Sequence, residues 1–167
     1  MPPEKANFAF IDEQNVYAEL KKCGWKIDYF KFRIYLKEKY NVERAYIFIG
    51  RMKEHEDLYE LFNQQGFECI FKKVTIFNNK IKGNCDSDLV LHSLRLIPFY
   101  HQAVILSGDG DFTPLIEYLL FHDKLRQLIV PNRHKYSSLL KPFRDHTAYM
   151  NDFESRLKRK PLEEQNP

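Results

Sequence analysis

Strand and helix signals alternate between residues 7 and 150 and predict an α/β chain: a three-layer α/β/α sandwich on a mainly parallel central sheet. Two further observations support that class. The segments at 7–12, 45–50, 103–107 and 127–131 are strongly apolar, as strands covered by helices on both faces must be. Acids follow where such strands end, which is the edge at which open α/β sheets bind ligands.

Residues 7–12 (NFAFID) form the first predicted strand, and a helix from about Val16 to Lys22 follows, ended by Gly24. Asp28 is placed to cap a longer helix reaching Asn41. AYIFIG at 45–50 is the second strand, and 55–66 is a helix with Leu58, Leu61 and Phe62 on one face and Gly66 at its end. Residues 67–77 make a third strand, continued as an edge hairpin through Asn78, Asn79 and Lys80. On the helix at 86–99, Asp86, Val90, Ser93, Leu94 and Ile97 fall on one stripe. The strand at 103–107 stops at Ser107 and Gly108, and a helix from Phe112 to about Phe121 follows, with Pro114 near its first turn. A strand at 127–131, a short helix from Ser137 to Phe143 and a last segment at 146–150 complete the alternation.

At 167 residues the chain suits one domain, assigned to 1–150, with a basic tail at 151–167 that contains SRLKRKP. Three scattered cysteines without CxxC spacing and six histidines without HxH or HExxH spacing argue against a disulfide framework and a zinc enzyme. The first fifteen residues lack an apolar signal core, and no stretch approaches the ~18 apolar residues of a membrane span, so the expected location is cytoplasmic. Net charge is only +3, yet Lys72, Lys73, Lys80 and Lys82 cluster ahead of Asp86 and suit phosphate contacts.

The chemistry-bearing residues are Asp12, Asp86, Asp109 and Asp111. Asp12 ends the first strand, Asp109 and Asp111 follow a later one across Gly110, and Asp86 opens the helix leading into it. If those strands are neighbours, the four acids converge. Close carboxylates raise one another's pKa unless a cation neutralises them, and hard oxygen ligands select Mg²⁺ or Mn²⁺.

These motifs resemble the NYN domain, a group of PIN-like nucleases that includes the LabA-like proteins. FIDEQN (10–15), KGNCDSDL (82–89) and SGDGDFTPLI (107–116) carry the resemblance, which spans roughly residues 7–150. It implies a PIN-like fold, a Mg²⁺ or Mn²⁺ site formed by Asp12, Asp86, Asp109 and Asp111, and hydrolysis of RNA phosphodiester bonds. It also implies that Asn15 assists the first acid and that Ser107 and Thr113 orient carboxylates or substrate, with Lys82 on the RNA backbone. Two positions depart from the family pattern: Glu13 stands where Gly is frequent, and His92 where many members carry another Asp.

Single-stranded RNA is the expected partner, with Phe77, Phe112 or Tyr136 available to stack a base, and homodimerisation is left open. Two rival readings use the same residues. A catalytically weakened RNA-binding module would keep the groove, and DGDFT also matches the DxDxT pattern of aspartyl-phosphate phosphatases.

Overall fold

The computed structural model describes residues 5–161 apart from 74, 78, 79, 83 and 84, and for 73–84 only the backbone. Strand β1 (Asn7–Asp12) runs directly into α1 (Glu13–Lys22), three residues earlier than expected, because the Asp12 carboxylate caps the helix by accepting from the Asn15 N–H. Helix α2 (Tyr29–Tyr40) is capped by Asp28 and closed by Asn41, whose φ of 53° is the left-handed conformation that Asn tolerates. β2 (Val42–Arg51), α3 (Glu56–Gln64) and β3 (Phe67–Lys73) follow.

The expected third strand is broken: β4 (Thr75–Phe77) pairs antiparallel with β5 (Lys80–Lys82) as a hairpin separate from the main sheet. Helix α4 (Asp86–Arg95) ends before Pro98, and a tight turn at Ile97–Phe99 replaces its predicted last residues. β6 (Ala103–Leu106), α5 (Thr113–Phe121), β7 (Leu125–Val130), β8 (Thr147–Tyr149) and α6 (Glu154–Leu157) complete the chain, with the helix expected after Ser137 realised as a 3-10 segment, Ser138–His146.

The six main strands are all parallel, in the order β3-β2-β1-β6-β7-β8. β1 therefore lies between β2 and β6, with Asp12 level with Phe48 and Ile11 level with Leu106. Side chains alternate across this sheet as the pleat requires. Ile11, Ile47, Val104 and Ile129 meet Val16, Leu20, Phe32, Leu36 and Phe62 of α1, α2 and α3 in one core layer. Phe10, Phe48, Ile105 and Leu128 meet Leu89, Leu115, Ile116 and Leu119 of α4 and α5 in the other.

Residues 151–161, expected as part of a tail, are held against the domain over much of their length. Leu157 is buried in the first core layer, Lys158 bridges Ile27, and the Arg159 N–H donates to Lys26 O at 2.7 Å. Among the described residues, no helix is long and apolar enough to cross a membrane.

Candidate metal centre

Because β1 and β6 are neighbours, their carboxyl ends open beside one another, and the N-terminus of α4 reaches the same edge. Asp12, Asp86 and Asp109 each bring a carboxylate oxygen to within 4.8 Å of the other two. Asp111 stands outside this trio and is exposed. The reason is local: Asp109 Oδ1 accepts the Asp111 N–H at 2.9 Å, closing a tight turn at Gly110–Phe112 in which Asp111 is turned to solvent.

Asp12 is buried, and burial, reinforced by the charges of Asp86 and Asp109, pushes its carboxyl up to about 6. Two bonds oppose the rise. Ser107 Oγ donates to Asp12 Oδ2 at 2.8 Å, and the Asn15 N–H donates to Oδ1 at 3.4 Å. Ser107 Oγ also accepts the Asp109 N–H at 3.1 Å, so one buried hydroxyl fixes two of the three acids relative to each other. Asn15 Oδ1 accepts the Gly108 N–H at 2.8 Å and ties α1 to the turn after β6.

The donor set fits a hard divalent cation. Three carboxylate oxygens at this spacing, one of them buried among like charges, match the ligand preference of Mg²⁺ or Mn²⁺. Cys85, half-buried ahead of Asp86, is not among the residues whose ligand atoms converge, and burial and Asp88 push its thiol up to about 11.

Other expected residues fall elsewhere. The Thr113 hydroxyl donates to Gly110 O at 2.7 Å and braces the turn, with no carboxylate among its described partners. The side chains of Lys82 and Phe77 lie outside the described residues. Phe112 is fully buried in the second core layer and presents no face to a base. His92 packs its ring 5.6 Å from that of Phe48, with Nδ1 3.1 Å from Arg95. Lys72, near the end of β3, carries a charge that opposes the rise of the Cys85 thiol.

The segment after β7 covers the acidic turn more closely than any periodicity in the sequence indicates. The Ser137 N–H donates to Gly108 O at 3.1 Å. A Cβ at Gly110 would lie 2.2 Å from Ser137 Oγ and 2.9 Å from Ser137 Cβ, whereas one at Gly108 would meet Tyr136 Cβ at 3.2 Å. Gly110→Ala is therefore expected to displace the Asp109 turn and cost about 1–3 kcal/mol, with Gly108→Ala milder. Urea midpoints and Mn²⁺ titrations of both variants check this, and equal behaviour of the two would sink the steric argument.

With the fold and acids in place, comparison with known proteins assigns the family. The NYN domain model matches residues 8–151. The chain belongs to the NYN domain family. It is 27% identical over 122 residues to the low amplitude and bright protein LabA of Synechococcus elongatus, a match covering 66% of this chain and 65% of that protein. A crystal structure of a protein of unknown function from Vibrio parahaemolyticus shares the fold with a TM-score of 0.75 at 22% identity, over 94% of this chain and 99% of that one. The parallel sheet with helices on both faces is consistent with a PIN-like layered α/β fold, and NYN domains are a nuclease-like, nucleic-acid-related family. In this NYN domain, Asp12, Asp86 and Asp109 are the acids that meet.

Proposed function

We propose that this NYN domain is a metal-dependent ribonuclease that hydrolyses phosphodiester bonds of single-stranded RNA at the Asp12, Asp86 and Asp109 cluster. The observation that carries the reading is the convergence of three carboxylates from separate chain segments within 4.8 Å. A divalent cation bound there would supply Lewis acidity to a phosphate oxygen and to the attacking water.

The chain's own residues do the positioning. Ser107 and the Asn15 N–H hold Asp12 in one rotamer and favour its charged form, while Ser107 also fixes the turn that presents Asp109. Asp111, exposed on the rim, is placed to orient water or substrate without being one of the three closest ligands. Lys72 and, by its sequence position, Lys82 supply positive charge for the RNA backbone. A DxDxT phosphatase would use Asp109 and Asp111 and leave the buried Asp12 and its bond from Ser107 without a role.

Purified protein is expected to shorten labelled single-stranded RNA when Mn²⁺ or Mg²⁺ is added and to stop when chelator is added. Binding of RNA without cleavage under either metal would overturn the enzyme reading in favour of an RNA-binding module.

A further inference from the structure

Past the acids, the carboxyl edge of the sheet continues over β7 and β8, and the segment joining those strands is basic. Residues 131–146 carry Arg133, Lys135, Lys141 and Arg144 against the single acid Asp145, all five exposed. Their net charge of +3 equals that of the whole chain, so the remaining residues balance. This edge also bears the acids on the same face. Phe10 and Val130 lie in the second core layer with Tyr149 packed against it, and Asp12, two residues beyond Phe10 on β1, falls on that side of the pleat.

Tyr136 adjoins the acidic turn. Its Cβ lies 3.2 Å from where a Cβ on Gly108 would stand, and the next residue, Ser137, donates its N–H to Gly108 O. The Tyr136 ring centroid is 5.7 Å from that of Tyr149, the rings are tilted by 54°, and the two hydroxyls are 3.0 Å apart. One hydroxyl donates to the other, which leaves one of the two phenolic protons to donate elsewhere. Among the described residues, neither hydroxyl has a further partner. Arg133 stands over the Tyr149 ring, its guanidinium carbon 5.1 Å from the centroid. Asp152 pairs with its Nη2, and its backbone N–H donates to Asn151 Oδ1 at 2.9 Å, so the side chain is held in place. A guanidinium carries five donors, and one carboxylate oxygen leaves most of them for a ligand.

A phenolic proton beside a guanidinium suits a charged oxygen acceptor such as phosphate. We propose that Tyr136, Tyr149 and Arg133 hold a phosphate of single-stranded RNA beyond the one that meets Asp12, Asp86 and Asp109, so that the strand runs along the carboxyl edge from β1 toward β8. β8 lies two strands from β6, about 10 Å at the usual strand spacing, which places the contact on a separate nucleotide. This rests on the ribonuclease reading and adds the path of the strand.

Anisotropy of a fluorescein-labelled single-stranded RNA, read in chelator so that affinity is measured without cleavage, tests the path. Tyr136→Phe combined with Tyr149→Phe keeps both rings and removes both hydroxyls, and its affinity is expected to fall about tenfold with an unchanged salt dependence. Arg133→Gln is expected to lower the slope of log affinity against log salt by about 0.7, the value for one phosphate contact on a single strand. Lys37→Gln in the last turn of α2, at the opposite edge of the sheet, should leave that slope unchanged. Full affinity in the double variant overturns the proposal, also where Tyr136→Ala weakens binding, because the rings alone would then be holding a base. Equal slope changes for Arg133→Gln and Lys37→Gln overturn it as well, since binding would then follow overall charge. Weakened binding in the variants without cleavage by wild type under either metal keeps the path and removes the nuclease; cleavage with unchanged binding does the reverse. If wild type binds no RNA the path falls, and the cleavage assay decides the ribonuclease reading by itself.

Discussion

Asp109→Asn and Asp12→Asn should each reduce metal-dependent RNA cleavage by more than about 100-fold, and Asp111→Asn by clearly less. Loss of a residue that merely orients a metal ligand costs roughly 10–100-fold, so loss of a ligand itself should exceed that range. Asp12 and Asp109 belong to the trio, whereas Asp111 lies outside it on an exposed turn. Cleavage rates with Mn²⁺ and the Mn²⁺ affinity of each variant check the ranking. Equal losses at all three positions would argue that the trio is not the working set. Because burial holds the Asp12 carboxyl near 6, metal competes with a proton below that pH. Metal affinity of the wild type is then expected to fall by about tenfold per pH unit on further acidification.

Glu13→Gln should stabilise the protein at pH 8 by on the order of a few kcal/mol. Glu13 follows Asp12 and is also buried, but its surroundings are Tyr29 of α2 and Cys69 of β3. The Tyr29 hydroxyl donates to Oε1, while Oε2 has no hydrogen-bond partner among the described residues. Burial pushes this carboxyl up to about 8; the Tyr29 bond opposes the rise and the Asp12 charge adds to it. The folded state therefore keeps a proton that the unfolded chain releases above about 4.5. Stability from this group is complete below that pH, declines as pH rises at up to about 1.4 kcal/mol per unit, and is lost above 8. Glutamine keeps the shape and the acceptor without the charge. Urea midpoints between pH 6 and 8 should slope downward in wild type and flatten in the variant; parallel slopes would show that Glu13 is not the titrating group. The rise at Asp12 acts in the same direction at lower pH, where the variant retains it.

Much of the acid cluster was legible in the sequence, since strand ends and helix starts are positions that periodicity marks and a parallel sheet collects them on one edge. Asp12, Asp86 and Asp109 occupy such positions. Asp111 does not follow from that logic, because spacing shows that two residues share a turn and not which way each faces. There, the bond from the Asp111 N–H to Asp109 decides the matter. Glu13 was hidden for a different reason. A charged residue after a strand reads as solvated, and its burial depends on α2 crossing over it, a contact between segments 16 residues apart. The packing of Leu157 and the approach of Ser137 to Gly110 are equally non-local, and neither leaves a periodic trace.

The bond from Ser107 to Asp12 spans 95 residues of chain. At a synthesis rate of about 5–20 residues per second, Asp12 waits roughly 5–20 s for its partners to be made. During that interval α1 and β2 can form around β1, but the three acids are not yet together. A nascent chain still on its ribosome thus carries the first acid of the cluster alone, and the cluster is assembled only when the second half of the sheet closes against the first.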